Sequence, residues 1–123
     1  KTLKLLRAYK GDVCIESFDP RIVMWFRFHA RKLLRGQLSC RPKAFKPEDA
    51  SKLQAFLLGN CFMNFMGRPQ FIAYEIGRKP LTVKLAELMG AMRFCWTSHE
   101  WAHEKKNDAV IFEYYKPGVK FKK

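Results

Sequence analysis

The residues whose spacing most directly indicates chemistry lie in the run His99-Glu100-Trp101-Ala102-His103, which has the form H-E-x-x-H. On an α-helix, histidines four residues apart share one face and bind Zn²⁺, while the glutamate activates a water molecule. The pattern is short, the residues after it are polar, and Glu113 is the nearest candidate for a third ligand. A zinc protease is therefore an alternative interpretation and not the preferred one.

A second set of chemically capable residues lies at the ends of five short apolar segments. These residues are carboxylates, amides, hydroxyl groups and aromatic rings: Glu16, Ser17, Phe18, Gln37, Ser39, Tyr74, Glu75, Trp96, Thr97, Glu113 and Tyr114. If the segments are parallel strands, their carboxyl ends meet at one edge of the sheet, where α/β barrels place their active sites. The set contains no histidine and no compact acidic cluster, so it predicts substrate contacts better than a metal site.

The cysteines form no C-x-x-C pair, and three of the four lie in apolar segments. They are Cys14, Cys40, Cys61 and Cys95. This pattern favours reduced, buried thiols and a reducing compartment, so we expect a cytoplasmic protein.

The chain is strongly basic, with 24 lysines and arginines against 11 acidic residues and a formal charge of +13. Such a charge favours polyanionic partners, although most of these side chains are expected to solvate helix faces. A basic module that binds anionic membrane or nucleic acid is therefore the non-enzymatic alternative. Since no DNA- or RNA-binding motif is present, nucleic acid is not an expected partner.

The elements that would position these residues alternate between strands and helices. Strands are predicted at residues 13–18, 36–39, 71–76, 92–97 and 110–113, and helices at 2–9 and after Asp19-Pro20, Pro47, Pro80 and Ser98. Strands joined by helical crossovers run parallel. A closed barrel of eight such units takes about 250 residues. We therefore predict an α/β fold: the C-terminal half of a TIM (β/α)₈ barrel. A small, complete open sheet is the alternative.

Five of these segments together resemble glycerophosphodiester phosphodiesterases. Glu16-Ser17-Phe18 resembles the family's strand that ends in "SF", and Gly36-Gln37-Leu38-Ser39 resembles its "GQLS" strand. Phe71-Ile72-Ala73-Tyr74 is similar to "DFIAY", Trp96-Thr97 to "WTV", and Ile111-Phe112-Glu113 to "IFEG". The order and approximate spacing of all five agree, and the resemblance covers nearly the whole chain.

The resemblance implies a TIM barrel that hydrolyses glycerophosphodiesters to glycerol 3-phosphate and an alcohol, with a divalent cation, Ca²⁺ or Mg²⁺, as cofactor. The family's acid and base are histidines of "HRG" and "HD" strands, and its metal ligands lie in "E-x-D" and "E-I-K". None of these motifs occurs in residues 1–123. The chain is thus expected to be a partial domain without catalytic or metal-binding residues, inactive alone, which self-associates or pairs with its missing N-terminal half.

The resemblance assigns four substrate-site positions to this chain. It implies that Phe18 and Trp96 line the apolar side of the pocket, next to the glycerol, where aromatic walls exclude water. Ser17 matches the "SF" serine and is expected to make a structural hydrogen bond. Glu113 matches a position with Asp or Glu in many members, without an assigned role. Ser98-His99-Glu100 departs from the family pattern, which puts polar contacts from that loop in doubt.

The run at residues 55–66 is almost continuously apolar, yet shorter than the roughly 20 residues that span a bilayer. A buried barrel helix or an oligomer contact is the first interpretation. The second is an apolar lip near the barrel mouth that contacts anionic lipid with the help of basic neighbours. This second interpretation would make the protein membrane-peripheral.

Overall fold

The computed structural model describes residues 2–118. The elements in chain order are α1 (Thr2–Ala8), β1 (Cys14–Ser17), α2 (Pro20–His29), β2 (Leu34–Ser39), a first 3₁₀ helix (Pro42–Ala44), α3 (Lys52–Gly59), α4 (Asn64–Gly67), β3 (Phe71–Glu75), α5 (Leu81–Leu88), β4 (Met92–Ser98), a second 3₁₀ helix (Trp101–His103) and β5 (Ala109–Phe112). Strands and helices alternate as predicted, because each apolar strand segment is separated from the next by a crossover of helical length.

The strands form one parallel sheet with the spatial order β1-β2-β3-β4-β5. The pairing is regular across the centre, with Gly36 opposite Phe71 and Phe71 opposite Met92. A register shift occurs between β4 and β5, after Cys95. The sheet curls into half a barrel, which confirms the predicted fold class. All carboxyl ends of the strands therefore lie on one side of the molecule.

The central strand β3 is buried on both faces, as is usual in parallel sheets. Its outward-facing Ile72 and Tyr74 pack with Cys61 and Val83 beneath the helices. On the inner face, the ring of Phe71 stacks on Phe94 with 4.2 Å between centroids. The core therefore lies on both sides of β3 and fixes the middle of the curled sheet.

The helix predicted to start at Pro47 begins instead at Lys52. Ser51 and Gln54 form a reciprocal capping box, in which the Ser51 hydroxyl accepts from the Gln54 amide and the Gln54 side chain accepts from the Ser51 amide. This arrangement satisfies two backbone donors at the helix start, which Pro47 cannot do. The apolar run is then divided after Gly59 into α3 and α4, with Cys61 in the left-handed conformation at φ 53°.

Two predicted helix starts had opposite outcomes. The helix predicted after Asp19-Pro20 forms as α2, and Asp19 caps it, since its side chain accepts from the Arg21 amide at 2.9 Å. The prediction for Ser98 was wrong, because Ser98 is the last residue of β4 and is completely buried. Its hydroxyl donates to the carbonyl of Glu100, and only a short 3₁₀ helix follows.

The four cysteines form no disulfide with one another. Cys40, Cys61 and Cys95 are buried, whereas Cys14 is exposed on the outer strand β1. In residues 2–118, no helix is both long enough and apolar enough to cross a membrane.

Candidate functional site

A cleft of about 710 Å³ opens at the carboxyl ends of strands β1 to β4. Its apolar walls come from strand ends, from the loop after β2, and from the helical segment α3–α4: Phe18, Phe45, Leu57, Leu58, Met63 and Trp96. Its polar residues include Asp19, Arg21, Asp49 and Glu75. The cleft thus occupies the position that the parallel fold predicts for a site, with a mainly apolar interior and a few polar groups.

Phe18 and Trp96 form the main aromatic wall of the cleft. Their rings meet edge to face, with 5.6 Å between centroids and an interplanar angle of 87°. Phe45 makes a second edge-to-face contact with Phe18, at 6.3 Å. In a flat sheet, strands three steps apart are separated by about 14 Å, so curvature of the sheet contributes to this contact between β1 and β4. The structure therefore brings together the two aromatic residues that the sequence predicted for the pocket.

Hydrogen bonds hold both aromatic residues in place. The Trp96 indole Nε1 donates to the carbonyls of Ser39 at 3.0 Å and Ala73 at 3.1 Å, so the ring lies across the ends of β2 and β3. The Gln37 side-chain amide donates to the carbonyls of Ser17 and Phe18, each at 3.0 Å. A buried indole N–H needs such acceptors, and here they also set the orientation of the wall.

The other two predicted site residues lie elsewhere. The Ser17 hydroxyl accepts from the Asp19 amide at 3.0 Å, so it stabilises the turn from β1 into α2. Glu113 is exposed and does not line the cleft; its Oε2 lies 3.7 Å from Nε2 of His99. The geometry gives Ser17 a positioning role beside the cleft and gives Glu113 no contact with it.

An ion pair fixes the polar end of the cleft. The Arg41 guanidinium donates to both oxygens of Glu75, from Nε at 3.0 Å and from Nη2 at 2.9 Å. The Arg41 backbone amide also donates to Glu75, at 3.2 Å. These hydrogen bonds hold the pKa of the Glu75 carboxyl below its ordinary value of 4.5. Glu75 is therefore a charged carboxylate at neutral pH, and its hydrogen-bonding capacity is directed to Arg41.

Replacing Glu75 by glutamine is expected to lower the free energy of unfolding by about 1 kcal/mol at neutral pH. Because the folded-state pKa of Glu75 is lowered, its contribution is complete above the unfolded pKa and disappears as the pH falls through the folded pKa. Urea unfolding from neutral to acidic pH should therefore show the two proteins converging in acid. Glu48→Gln, in the exposed turn before α3, should cost less than about 0.5 kcal/mol. A difference in the free energy of unfolding between the wild type and Glu75→Gln that widens in acid would contradict this prediction.

Cys40 lines the cleft, yet its thiol is unsuited to nucleophilic chemistry. Burial raises the pKa of Cys40 to about 11, from an ordinary 9.0. The nearby charge of Glu75 acts in the same direction. Because the thiolate is the reactive species, Cys40 is protonated and unreactive at neutral pH. It therefore contributes packing to the wall.

The carboxylates of the cleft do not fit a divalent-cation site. Two of them, Asp19 and Glu75, are already paired with Arg21 at 2.7 Å and Arg41 at 2.9 Å. A hard cation requires several converging oxygen ligands. Within residues 2–118, no three histidine, cysteine or acidic side chains lie close enough together to hold a metal ion. A cation would need ligands from other residues.

The H-E-x-x-H run does not form the α-helix that a zinc protease requires. His103 ends the second 3₁₀ helix, and its Nδ1 lies 3.0 Å from the Ser98 hydroxyl. His99 precedes that helix, and its Nε2 is directed to Glu113. The two histidines thus have different partners and do not share a helical face, as the zinc interpretation requires.

Several residues of the cleft were not identified from the sequence. Phe45, Leu57, Leu58 and Met63 come from the loop after β2 and from the apolar run, for which the sequence predicted a buried helix, an oligomer contact or a lipid-contacting lip. The available signal was their position: both segments follow the carboxyl end of β2, where barrel loops form sites.

Comparison of the chain with models of protein families, with curated protein sequences and with solved structures finds no match.

Proposed function

We propose that this chain is the substrate-binding half of a glycerophosphodiester phosphodiesterase, which hydrolyses glycerophosphodiesters to glycerol 3-phosphate and an alcohol. The observation that carries the proposal is the contact between Phe18 and Trp96, which form one wall of the cleft at the carboxyl ends of the strands. The five ordered segment resemblances support it, because they assign Phe18 and Trp96 to the apolar side of the pocket. Both lines lead to the same two aromatic residues.

The chain's part in this reaction is to bind the glycerol moiety and exclude water. The carbon-bound hydrogens of a glycerol backbone pack against the rings of Phe18 and Trp96, which require no hydrogen bond from the ligand. The hydrogen bonds from Trp96 to the carbonyls of Ser39 and Ala73 keep the wall rigid, so little ordering is needed on binding.

The acid, the base and the ligands of a Ca²⁺ or Mg²⁺ cofactor belong, in this proposal, to an N-terminal half outside these residues. Two features of the fold fit a missing half. The outer strands β1 and β5 each pair on one side only within the described sheet. Cys14 and Phe112 on these strands are exposed. We expect the missing half, or a second copy, to cover these edges in a cytoplasmic enzyme.

The test is an assay of the intact source protein with glycerophosphocholine, following the release of glycerol 3-phosphate in Ca²⁺ or Mg²⁺. We expect turnover by the intact protein, and no turnover by pure Lys1–Lys123, which lacks the "HRG" and "HD" histidines. Mass spectrometry of the intact protein provides its upstream sequence. Turnover by Lys1–Lys123 alone, or an intact protein without "HRG" and "E-x-D", would overturn the proposal.

A further inference from the structure

Four large apolar side chains of the α3–α4 segment face solvent. Leu53 is 68% exposed, Phe56 50%, Phe62 44% and Phe65 71%. Phe56 and Phe62 touch, with 5.8 Å between ring centroids, although they belong to different parts of the segment. We call these four residues the α3–α4 patch. Large contiguous apolar patches on a protein surface mark interaction sites, whereas single scattered apolar side chains do not.

The α3–α4 patch is held in position by polar contacts from the rest of the fold. The last carbonyls of α3 accept hydrogen bonds from three hydroxyl groups: Ser39 donates to Leu58, Tyr74 to Gly59 and Thr82 to Asn60. The Arg27 guanidinium donates to the carbonyl of Met66 at 2.7 Å, next to Phe65. Because the backbone on both sides of the patch is anchored, the exposure of its side chains is a feature of the folded state.

The same segment forms part of the cleft. Leu57, Leu58 and Met63 line the cleft, while their neighbours Phe56 and Phe62 face solvent. The same short segment therefore supplies both part of the cleft wall and the α3–α4 patch.

The surroundings of the patch are positively charged. Residues 41–68 contain five basic and two acidic side chains, and the whole chain has a formal charge of +13. Lys43 and Lys46 are exposed in the chain leading into α3, and Lys52 is exposed at the first position of α3. Apolar side chains beside exposed lysines match the surface of an anionic bilayer, whose headgroups attract the lysines and whose acyl boundary accepts the rings. A second copy on the same patch would instead bring like charges together.

We infer that the α3–α4 patch and its lysines bind the surface of an anionic lipid bilayer, with Leu53 and Phe65 inserted at the headgroup–acyl boundary. This inference goes beyond the proposed function and does not depend on it, because membrane binding needs neither turnover nor a missing half. It follows the second interpretation of the 55–66 run, because the structure exposes aromatic residues that a buried helix would cover; an oligomer contact is an outcome of the test below.

The test is co-sedimentation of Lys1–Lys123 with vesicles of phosphatidylcholine, with and without phosphatidylglycerol, at low and high salt. We expect binding to the anionic vesicles, weakened by salt. Leu53→Ser/Phe65→Ser should weaken it by roughly tenfold or more, because two apolar side chains no longer insert. Lys43→Gln/Lys46→Gln should weaken it by about tenfold at low salt and less at high salt.

The control is Leu81→Ser/Leu88→Ser on α5, whose side chains are 71% and 83% exposed but lie outside the α3–α4 patch. This variant should bind within about twofold of the wild type. Circular dichroism should show all variants folded, since the replaced side chains are exposed.

Three results would each overturn the inference: no binding to anionic vesicles at low salt, equal weakening by the α5 control, or a Leu53→Ser/Phe65→Ser variant that binds like wild type. If Leu53→Ser/Phe65→Ser binds lipid like the wild type but has a lower apparent mass than the wild type in size-exclusion chromatography, a second copy of the chain covers the α3–α4 patch.

Discussion

Replacing Gly36 by alanine is expected to lower the free energy of unfolding of Lys1–Lys123 by about 3 kcal/mol. Gly36 lies in the middle of β2, directly opposite Phe71 of β3. A Cβ atom at position 36 would overlap the ring of Phe71. That ring is completely buried and stacked on Phe94, so it cannot move aside without disturbing the inner face of the sheet. Urea unfolding followed by circular dichroism measures the loss.

Two further variants separate the overlap from a general effect of adding a methyl group. Gly118→Ala should change the free energy of unfolding by less than about 0.5 kcal/mol, since its Cβ would meet nothing closer than 3.4 Å. Phe71→Leu removes ring atoms that the new Cβ would strike. The double variant Gly36→Ala/Phe71→Leu should therefore be more stable than the two single losses predict, by about 1 kcal/mol or more. Strict additivity, or a mild Gly36→Ala, would mean that β2 and β3 are not packed as described.

Under the proposed function, replacing Trp96 by alanine is expected to lower kcat/KM of the intact source protein for glycerophosphocholine by roughly 100-fold. The change removes half of the aromatic wall and leaves the carbonyls of Ser39 and Ala73 without their indole donor. It also deprives Phe18 of its edge-to-face partner. Because the proposed function places the wall against the glycerol throughout the reaction, the increase in KM should account for much of the loss.

Trp96→Phe separates the ring from its N–H group. It retains an aromatic surface beside Phe18 but cannot donate to either carbonyl. We expect a loss between those of wild type and Trp96→Ala. Trp101→Ala is the matched control, since Trp101 is 59% exposed and lies outside the cleft lining. Unfolding curves must show that each variant is folded at the assay temperature. A folded Trp96→Ala protein with wild-type kcat/KM would remove the aromatic wall from the proposed site.

The sequence was sufficient for the order and type of the main elements. Apolar runs such as 71–76 and Pro-initiated helices such as α2 are local signals, read over a few residues. Helical crossovers between strands then require parallel pairing, whatever the details of packing. The sequence was insufficient where local preference competes with packing. Ser98 has the residue type of a helix cap, but the buried end of β4 uses its hydroxyl to hold the second 3₁₀ helix.

What the sequence alone determined, then, is a parallel α/β order of strands and helices with Phe18 and Trp96 at the ends of two of the strands, because strand signals and strand ends are properties of neighbouring residues. Only the tertiary structure decided that these two rings touch across the two strands between them. It also places α3 beside them as a further wall of the cleft and leaves the α3–α4 patch in solvent. The physical reason is that curvature results from the summed twist and packing of all strands and helices, such as Phe71 against Gly36, and no short segment encodes it.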